Sequence, residues 1–356
     1  MERKLASIRV INDIQPIEGA DMIELAIVDG WKVVVAKNVG HKVGDHVVYC
    51  EIDSFLPIRE EFEFLRKSSF KRMGDQEGFR LKTIKLRKQV SQGLILPMSV
   101  FGDFGWTAYE GLDVTEKLGI VKYEPPVPAE LSGKVKGYFP SFLRKTDEER
   151  VQNLTKEYNE HRLQSKHQFY VTEKLDGSSA TYYIKDGVFG VCSRNLELAE
   201  PEPFVPGMEM CNDGIERPRQ ENTFWKVARE LDLKSKMESL GMNICFQGEL
   251  IGEGIQGNPY KIKGHTVKFF NAFDIDEQER ITMPKFIELI DKLGLDFVPF
   301  LETPFLLPST VEDLLKYAED KSRLNRETER EGVVVRSYDN SISFKAISNK
   351  FLLDND

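Results

Sequence analysis

From residue 6 to about residue 120, apolar and polar positions alternate in short runs: ASIRVINDI, MIELAIVDG, WKVVVAK, DHVVYCEID, FRLKTIKLRK and QGLILP. A period of two marks strands with one buried face, and Asp29-Gly30 between two runs reads as a hairpin turn. No useful stretch of helical period interrupts them, so the pattern predicts a small antiparallel barrel. YEPPVPAELSG (Tyr123 to Gly133) then reads as an extended linker.

Past the linker the period changes. TDEERVQNL is expected to open a helix, with Thr146 and Glu149 as a capping box. Strand-like runs follow at YVTEKL, SATYYI, VFGVCS, NICFQGEL, TVKFFNAFDI, GVVVRSY and SISFKAI, with turns at Asp186-Gly187 and Asp339-Asn340. Helices are predicted at Asn222–Leu240, at Pro284–Leu293 with Gly294 beyond it, and at Ser309–Leu324 with Ser309/Glu312 as capping box. The fold class is α+β, antiparallel sheets with helices outside. The expected division is a barrel over 1–122, a linker over 123–145 and a larger domain over 146–356. No further C-terminal domain is expected after Ser348.

Composition narrows the function. A chain of 356 residues can hold two cores. It has no signal-peptide pattern and no apolar run of about 20 residues to cross a membrane, so no membrane partner is expected. Cys50, Cys192, Cys211 and Cys245 lack CxxC spacing and read as buried thiols of a reducing, cytoplasmic compartment. With five histidines and no His/Cys cluster, zinc is disfavoured. The net charge of −9 argues against a packaging protein, yet Arg66–Lys88 holds nine Lys/Arg against two acidic residues. That segment, with Phe70 and Phe79 interleaved, is either a phosphate-contacting face or a solvated one.

The peptide TEKLDGSS places Lys174 at a strand end, before the tight turn Asp176-Gly177-Ser178-Ser179. Alone it reads more readily as a surface Lys/Asp pair. It is followed by SRN (Ser193–Asn195), FQGEL (Phe246–Leu250), FNAFDI (Phe270–Ile275), EGVVVR (Glu331–Arg336) and SFKAIS (Ser343–Ser348). Each sets a charged or aromatic residue at the edge of a β run. Together they supply a lysine, three carboxylates (Asp176, Glu249, Glu331), an arginine, a ring and a second lysine, suited to a nucleoside triphosphate and a divalent metal.

In this order the blocks resemble motifs I, Ia, III, IIIa, IV and V of the covalent nucleotidyltransferases, which comprise RNA ligases, DNA ligases and mRNA-capping enzymes. The N-terminal runs, from ADMIEL to SQGL, resemble tRNA-binding OB modules. An N-terminal OB barrel before a ligase domain resembles the Deinococcus/Naegleria-type RNA ligases, also called the RNA ligase 5 family. The resemblance implies an OB-like barrel followed by an ATP-grasp-like adenylation domain. It implies ATP and Mg²⁺ or Mn²⁺ as cofactors and RNA with 5′-phosphate and 3′-OH ends as partner, in a nick or break needing repair. A monomer is the default.

The resemblance also implies roles. Lys174 would be the nucleophile that becomes lysyl-AMP. Asp176, Glu249 and Glu331 would hold the metal, through waters. Glu173 would read the adenine amino group, Gly177 would belong to the nucleotide turn, Arg194 with Asn195 would contact ribose or substrate, and Phe273 would stack on adenine. Lys345 would contact the α-phosphate. Ile347 departs from the family's KxK, leaving Lys350 as the nearest replacement. Arg150 is a candidate for pyrophosphate. Arg336 either touches substrate or pairs with an acid. Gln256, Asn258 and Lys261, in GEGIQGNPYK, either line the site or form a turn without contacts. A capping guanylyltransferase, a DNA ligase and a non-catalytic RNA-binding protein are the rival readings.

Overall fold

The computed structural model describes residues 4–102, 107–124, 134–164, 169–202, 207–210, 216–218 and 221–355. The Pro-rich core of the expected linker and Cys211 lie outside them. In the N-terminal half, Leu94–Pro97, His46–Cys50, Ala6–Pro16, Ile23–Val28 and Trp31–Ala36 form a five-stranded sheet in that order. Val121–Lys122, Ser54–Pro57, Gln76–Arg80 and Phe70–Met73 form a second sheet. The run FRLKTIKLRK breaks in two. Its second part, Thr83–Leu86, pairs with Gln89–Gln92 in a separate hairpin, anchored where Val34 N donates to Ser91 Oγ at 3.0 Å.

Strand His46–Cys50 is buried on both faces. Val48 and Cys50 pack with Ala6, Ile8, Leu56, Phe62 and Phe79. Val47 and Tyr49 pack with Ile11, Val28, Trp31 and Ile95, and this second cluster also takes in Ile347 and Leu352 from the far end of the chain. The barrel therefore shares a core with the larger domain.

That domain is built on two sheets. Seven strands run Val135–Tyr138, Leu196–Leu198, Val188–Cys192, Ser178–Lys185, Ile244–Gly252, His265–Asp274 and Glu279–Arg280. Five run Glu149–Arg150, Ser343–Ile347, Gly332–Ser337, Phe169–Lys174 and Phe300–Phe305. Because side chains alternate across a strand, each sheet has one apolar face for helices. Ala180, Tyr182, Phe246 and Phe269 pack under helices Thr223–Glu230, Leu233–Glu238 and Met283–Leu293. Val171, Val333, Val335, Phe344 and Ala346 pack against Tyr158 of helix Thr155–Leu163 and against helix Val311–Ala318. The opposite faces carry Lys174, Glu249, Arg336 and Lys345.

Several expectations need correction. Val135–Tyr138, within the span read as linker, is an edge strand of the seven-stranded sheet. No helix starts at Thr146. Glu149–Arg150 is instead a short strand parallel to Ser343–Ile347, and the helix begins at Thr155. The helix expected from 222 to 240 is two, broken where Asp232 takes φ 50. The third spans Val311–Ala318 with Thr310, not Ser309, as its cap. Asp186 (φ 51) and Gly187 (φ 77) make the left-handed turn expected there.

Candidate active site

Lys174 is the last residue of its strand and lies opposite Gly332. Its Nζ donates to Glu331 Oε2 at 2.7 Å, and about a quarter of its side chain faces the groove (26 %). The chain then turns back through Gly177 into Ser178–Lys185, so that Ser179 pairs with Glu249. A Cβ on Gly177 would lie 2.5 Å from the Leu250 carbonyl oxygen and 2.9 Å from Glu249 Cγ. Only glycine lets the turn approach the Glu249 strand this closely. Tyr260, which no sequence motif singles out, is buried here and accepts from Asp176 N at 2.6 Å.

Charge in this group is out of balance. Burial pushes the Asp176 carboxyl up to about 7, and Glu331 repels it further against the attraction of Lys174. Burial also pushes Glu249 up to about 8, again with Lys174 opposing. On Lys174 burial acts downward, but Glu331, Glu249 and Asp176 carry it above the ordinary lysine value. Three carboxylates face one ammonium, which is the chemistry of a cation site. Among the described residues, however, no three acidic, histidine or cysteine side chains converge tightly enough to enclose an ion directly. An ion held by this trio would therefore have to be bound through water.

Lys345 projects from the same face as Lys174, two strands away, opposite Val334. With about 5 Å per strand and a two-residue offset along it, the two backbones stand roughly 12 Å apart, within reach of two long side chains meeting at one phosphate. Arg194 lies at the rim, where its Nη2 donates to Asp147 at 2.6 and 2.9 Å. Burial would raise the Asp147 carboxyl, yet Arg194, Lys122 and Lys345 hold it at about 2. Asp147 thus sits among the cations expected to meet the nucleotide. The sequence hides it because its stretch reads as a helix start.

Other predicted residues lie outside this cluster. Glu173 points to the opposite strand face, where its Oε2 accepts from Arg323 N at 2.7 Å. Its Oε1 is buried without a hydrogen-bond partner among the described residues. Phe273 pairs with Cys245, four residues down the strand from Glu249, roughly 13 Å away. It is buried among Leu143, Tyr183, Cys192 and Cys245, so the structure does not bring it to Lys174. Phe270 is the ring on the site's side: half-buried, it packs with Leu175, Ile251, Tyr260 and Val298.

Arg336 is buried and pairs with Glu148 at 2.8 Å, taking the acidic-partner alternative. Arg150 lies beside Lys345 on the parallel strand, with its guanidinium on Asp53 at 3.2 Å and over the Trp31 ring. It is buried and lies on a strand rather than in a helix. Lys350 is exposed on helix Asn349–Asn355 and bonds Glu329 at 2.8 Å, whereas Ile347 is buried in the shared barrel core. An apolar contact occupies the position where the second lysine was expected. In the loop after Glu249, Gln256 Nε2 donates to Gly177 O at 3.4 Å and Asn258 bonds Ile262, which ties the loop across the turn. Lys261 points outward to Glu327.

Comparisons with known proteins agree with this arrangement. Residues 5–98 match an OB-fold domain model, and residues 167–350 match the RNA ligase family model. No curated protein matches the chain. Among solved structures, the Naegleria gruberi RNA ligase with pyrophosphate superposes with a TM-score of 0.88 at 41 % identity, covering 99 % of this chain and 98 % of that one. A lysine-to-alanine form of the same enzyme with ATP and Mn gives 0.88 and 41 %, with 98 % of each chain covered. A lysine-to-methionine form with AMP and Mn gives the same values.

Proposed function

Since the chain belongs to the RNA ligase family, we propose that it is an ATP-dependent RNA ligase working through a lysyl-AMP bond at Lys174. The observation that carries the reading is the Lys174 amine held by Glu331 beside Asp176 and Glu249, at the mouth between two sheets. The solved relatives support ATP with Mn or Mg as cofactors and RNA as the substrate. Solved forms of the Naegleria gruberi enzyme include variants of a lysine and of an aspartate two residues further on. They also include variants of a glutamate and of a lysine fourteen residues further on. Lys174/Asp176 and Glu331/Lys345 have the same two spacings.

The Lys174 nitrogen attacks the α-phosphorus of ATP, and the bond to pyrophosphate breaks. The AMP passes to a 5′-phosphate on RNA, which frees the lysine. A 3′-OH then attacks that phosphate and expels AMP, so three phosphoryl transfers join two strands. Glu331 aims the nitrogen through its 2.7 Å contact. Lys345 and Arg194 balance phosphate charge once Asp147 yields, and Arg150 adds positive charge beside Lys345. Phe270 rather than Phe273 is the ring nearest to cover the adenine. A divalent ion held by Asp176, Glu249 and Glu331 would supply the charge that lowers the Lys174 pKa and stabilises the phosphate in flight.

On this reading the protein is a Deinococcus/Naegleria-type enzyme that seals nicks in RNA repair, acting as a monomer inside the cell. Sealing of matched nicked duplexes with RNA or DNA at the 3′-OH end, under Mg²⁺ and under Mn²⁺, tests it. Sealing that needs ATP and an RNA 3′-OH end is expected. An equal rate on all-DNA nicks points to a DNA ligase, and a GMP adduct in place of AMP points to a capping enzyme.

A further inference from the structure

Six of the nine cations of Arg66–Lys88 fall into two groups in the fold. Arg66 pairs with Glu63, Arg72 with Glu77, and Arg80 lies over the Tyr123 ring near Asp53. Lys85, Arg87 and Lys88 are different. They sit at the end of the hairpin Thr83–Leu86/Gln89–Gln92, exposed, with no acidic partner among the described residues. Ile84 and Leu86 beside them are exposed too, at 40 % and 38 %.

The turn itself is unusual. Leu86 pairs with Gln89, so Arg87 and Lys88 form a two-residue loop, with φ 47 and φ 68. That left-handed geometry favours Asn-Gly, and L side chains with a long stem adopt it at a cost. Folding stability does not explain two cations there.

The hairpin's place in the molecule supplies the reason. Thr83–Leu86 packs beside helix Asn349–Asn355, and Gln92 Nε2 donates to Asn349 Oδ1 at 3.2 Å. Asn349 follows Lys345 by four residues, and Ile347 between them is buried in the barrel core. The hairpin therefore leaves the barrel next to the strand that carries Lys345 into the groove.

We infer that the β-hairpin 83–92 is a clamp that grips the phosphate backbone of the RNA duplex flanking the nick, through Lys85, Arg87 and Lys88. This rests on the RNA ligase reading and names the surface that holds its substrate. Phosphate is the complement of unpaired cations, and removing each such cation should lower the salt-dependence slope by about 0.9.

The test uses Arg87→Asn/Lys88→Gly, which gives the turn its preferred residues and so preserves the hairpin, with Lys85→Glu added as a second step. Binding of nicked RNA duplex is measured against salt, alongside ATP adduct formation. The double variant should keep adduct formation and thermal stability, bind the duplex about tenfold or more weakly, and show a salt slope smaller by about 2. Adding Lys85→Glu should deepen both effects. Unchanged RNA affinity and slope in the triple variant would overturn the clamp. An equal weakening on a single strand would overturn the assignment to duplex. Absence of any AMP adduct in the unaltered protein would instead strike at the ligase reading.

Discussion

Lys174 shows how much of the chemistry lies in short spacings. KxDG, with carboxylates at the edges of later strands, was legible because alternation puts residues of one strand edge on one face. Asp147, Glu148 and Tyr260 were not, since their partners Arg194, Arg336 and Asp176 come from distant strands. Phe273 and Phe270 lie three positions apart in one motif. Phe270 is the extra residue of a bulge between the pairs Gln247–Asn271 and Gly248–Phe269, which sets it against Leu175 and Tyr260 while Phe273 lies further down the strand, and no local pattern announces it.

The crowded carboxylates make a pH prediction for protein stripped of metal. Asp176 and Glu249 titrate at about 7 and about 8 in the fold, against about 4 in an unfolded chain. The folded state binds the extra protons, so their contribution is full below about pH 4 and is lost as pH rises through 7 to 8. Glu249→Gln should flatten that decline and raise the midpoint near pH 8.5 by several degrees, on the order of 2–4 °C per kcal/mol. A melting series with chelator measures it. Parallel pH slopes in the two proteins would count against this account of the site's charge.

At the scale of elements, the strand runs were read well, because both periods in this chain are strong. The helix expected at Thr146 failed for a physical reason. Its acidic residues meet buried or rim cations, and Glu149–Arg150 gains a parallel ladder with Ser343–Ile347 instead. Glu148 and Arg336 are both almost fully buried. Arg336→Ala should therefore leave a carboxylate without its main partner and cost about 3–5 kcal/mol. Glu148→Gln together with Arg336→Met should cost clearly less. Denaturant unfolding of the two proteins decides it, and equal destabilisation would show that the pair's charge matters little.

For the whole molecule, the barrel and the larger domain were expected as separate units, and the shared core changes that picture. Trp31 Nε1 donates to Asn153 Oδ1 at 2.7 Å, and Gly30 meets Gln152 so closely that a Cβ would fall 2.7 Å from its Cα. Ile347 and Leu352 fill the barrel side of this junction. Removing residues 1–120 would expose both, so loss of sealing in such a fragment would not isolate a substrate role for the barrel. Ile347→Lys is a sharper probe: although it restores the family's KxK pattern, it buries an ammonium without a partner. It should destabilise the protein by about 2–4 kcal/mol without raising the sealing rate. A variant that is stable and seals faster would show that Ile347 faces substrate.

These scales meet in one reacting atom. The protein is incubated with ATP labelled at the α-phosphate and a divalent metal, and the adduct is mapped by peptide mass. The account predicts AMP on Lys174 through an acid-labile, base-stable phosphoramide, with none formed by Lys174→Ala. AMP on any other residue, or an adduct of equal yield in Lys174→Ala, would contradict it.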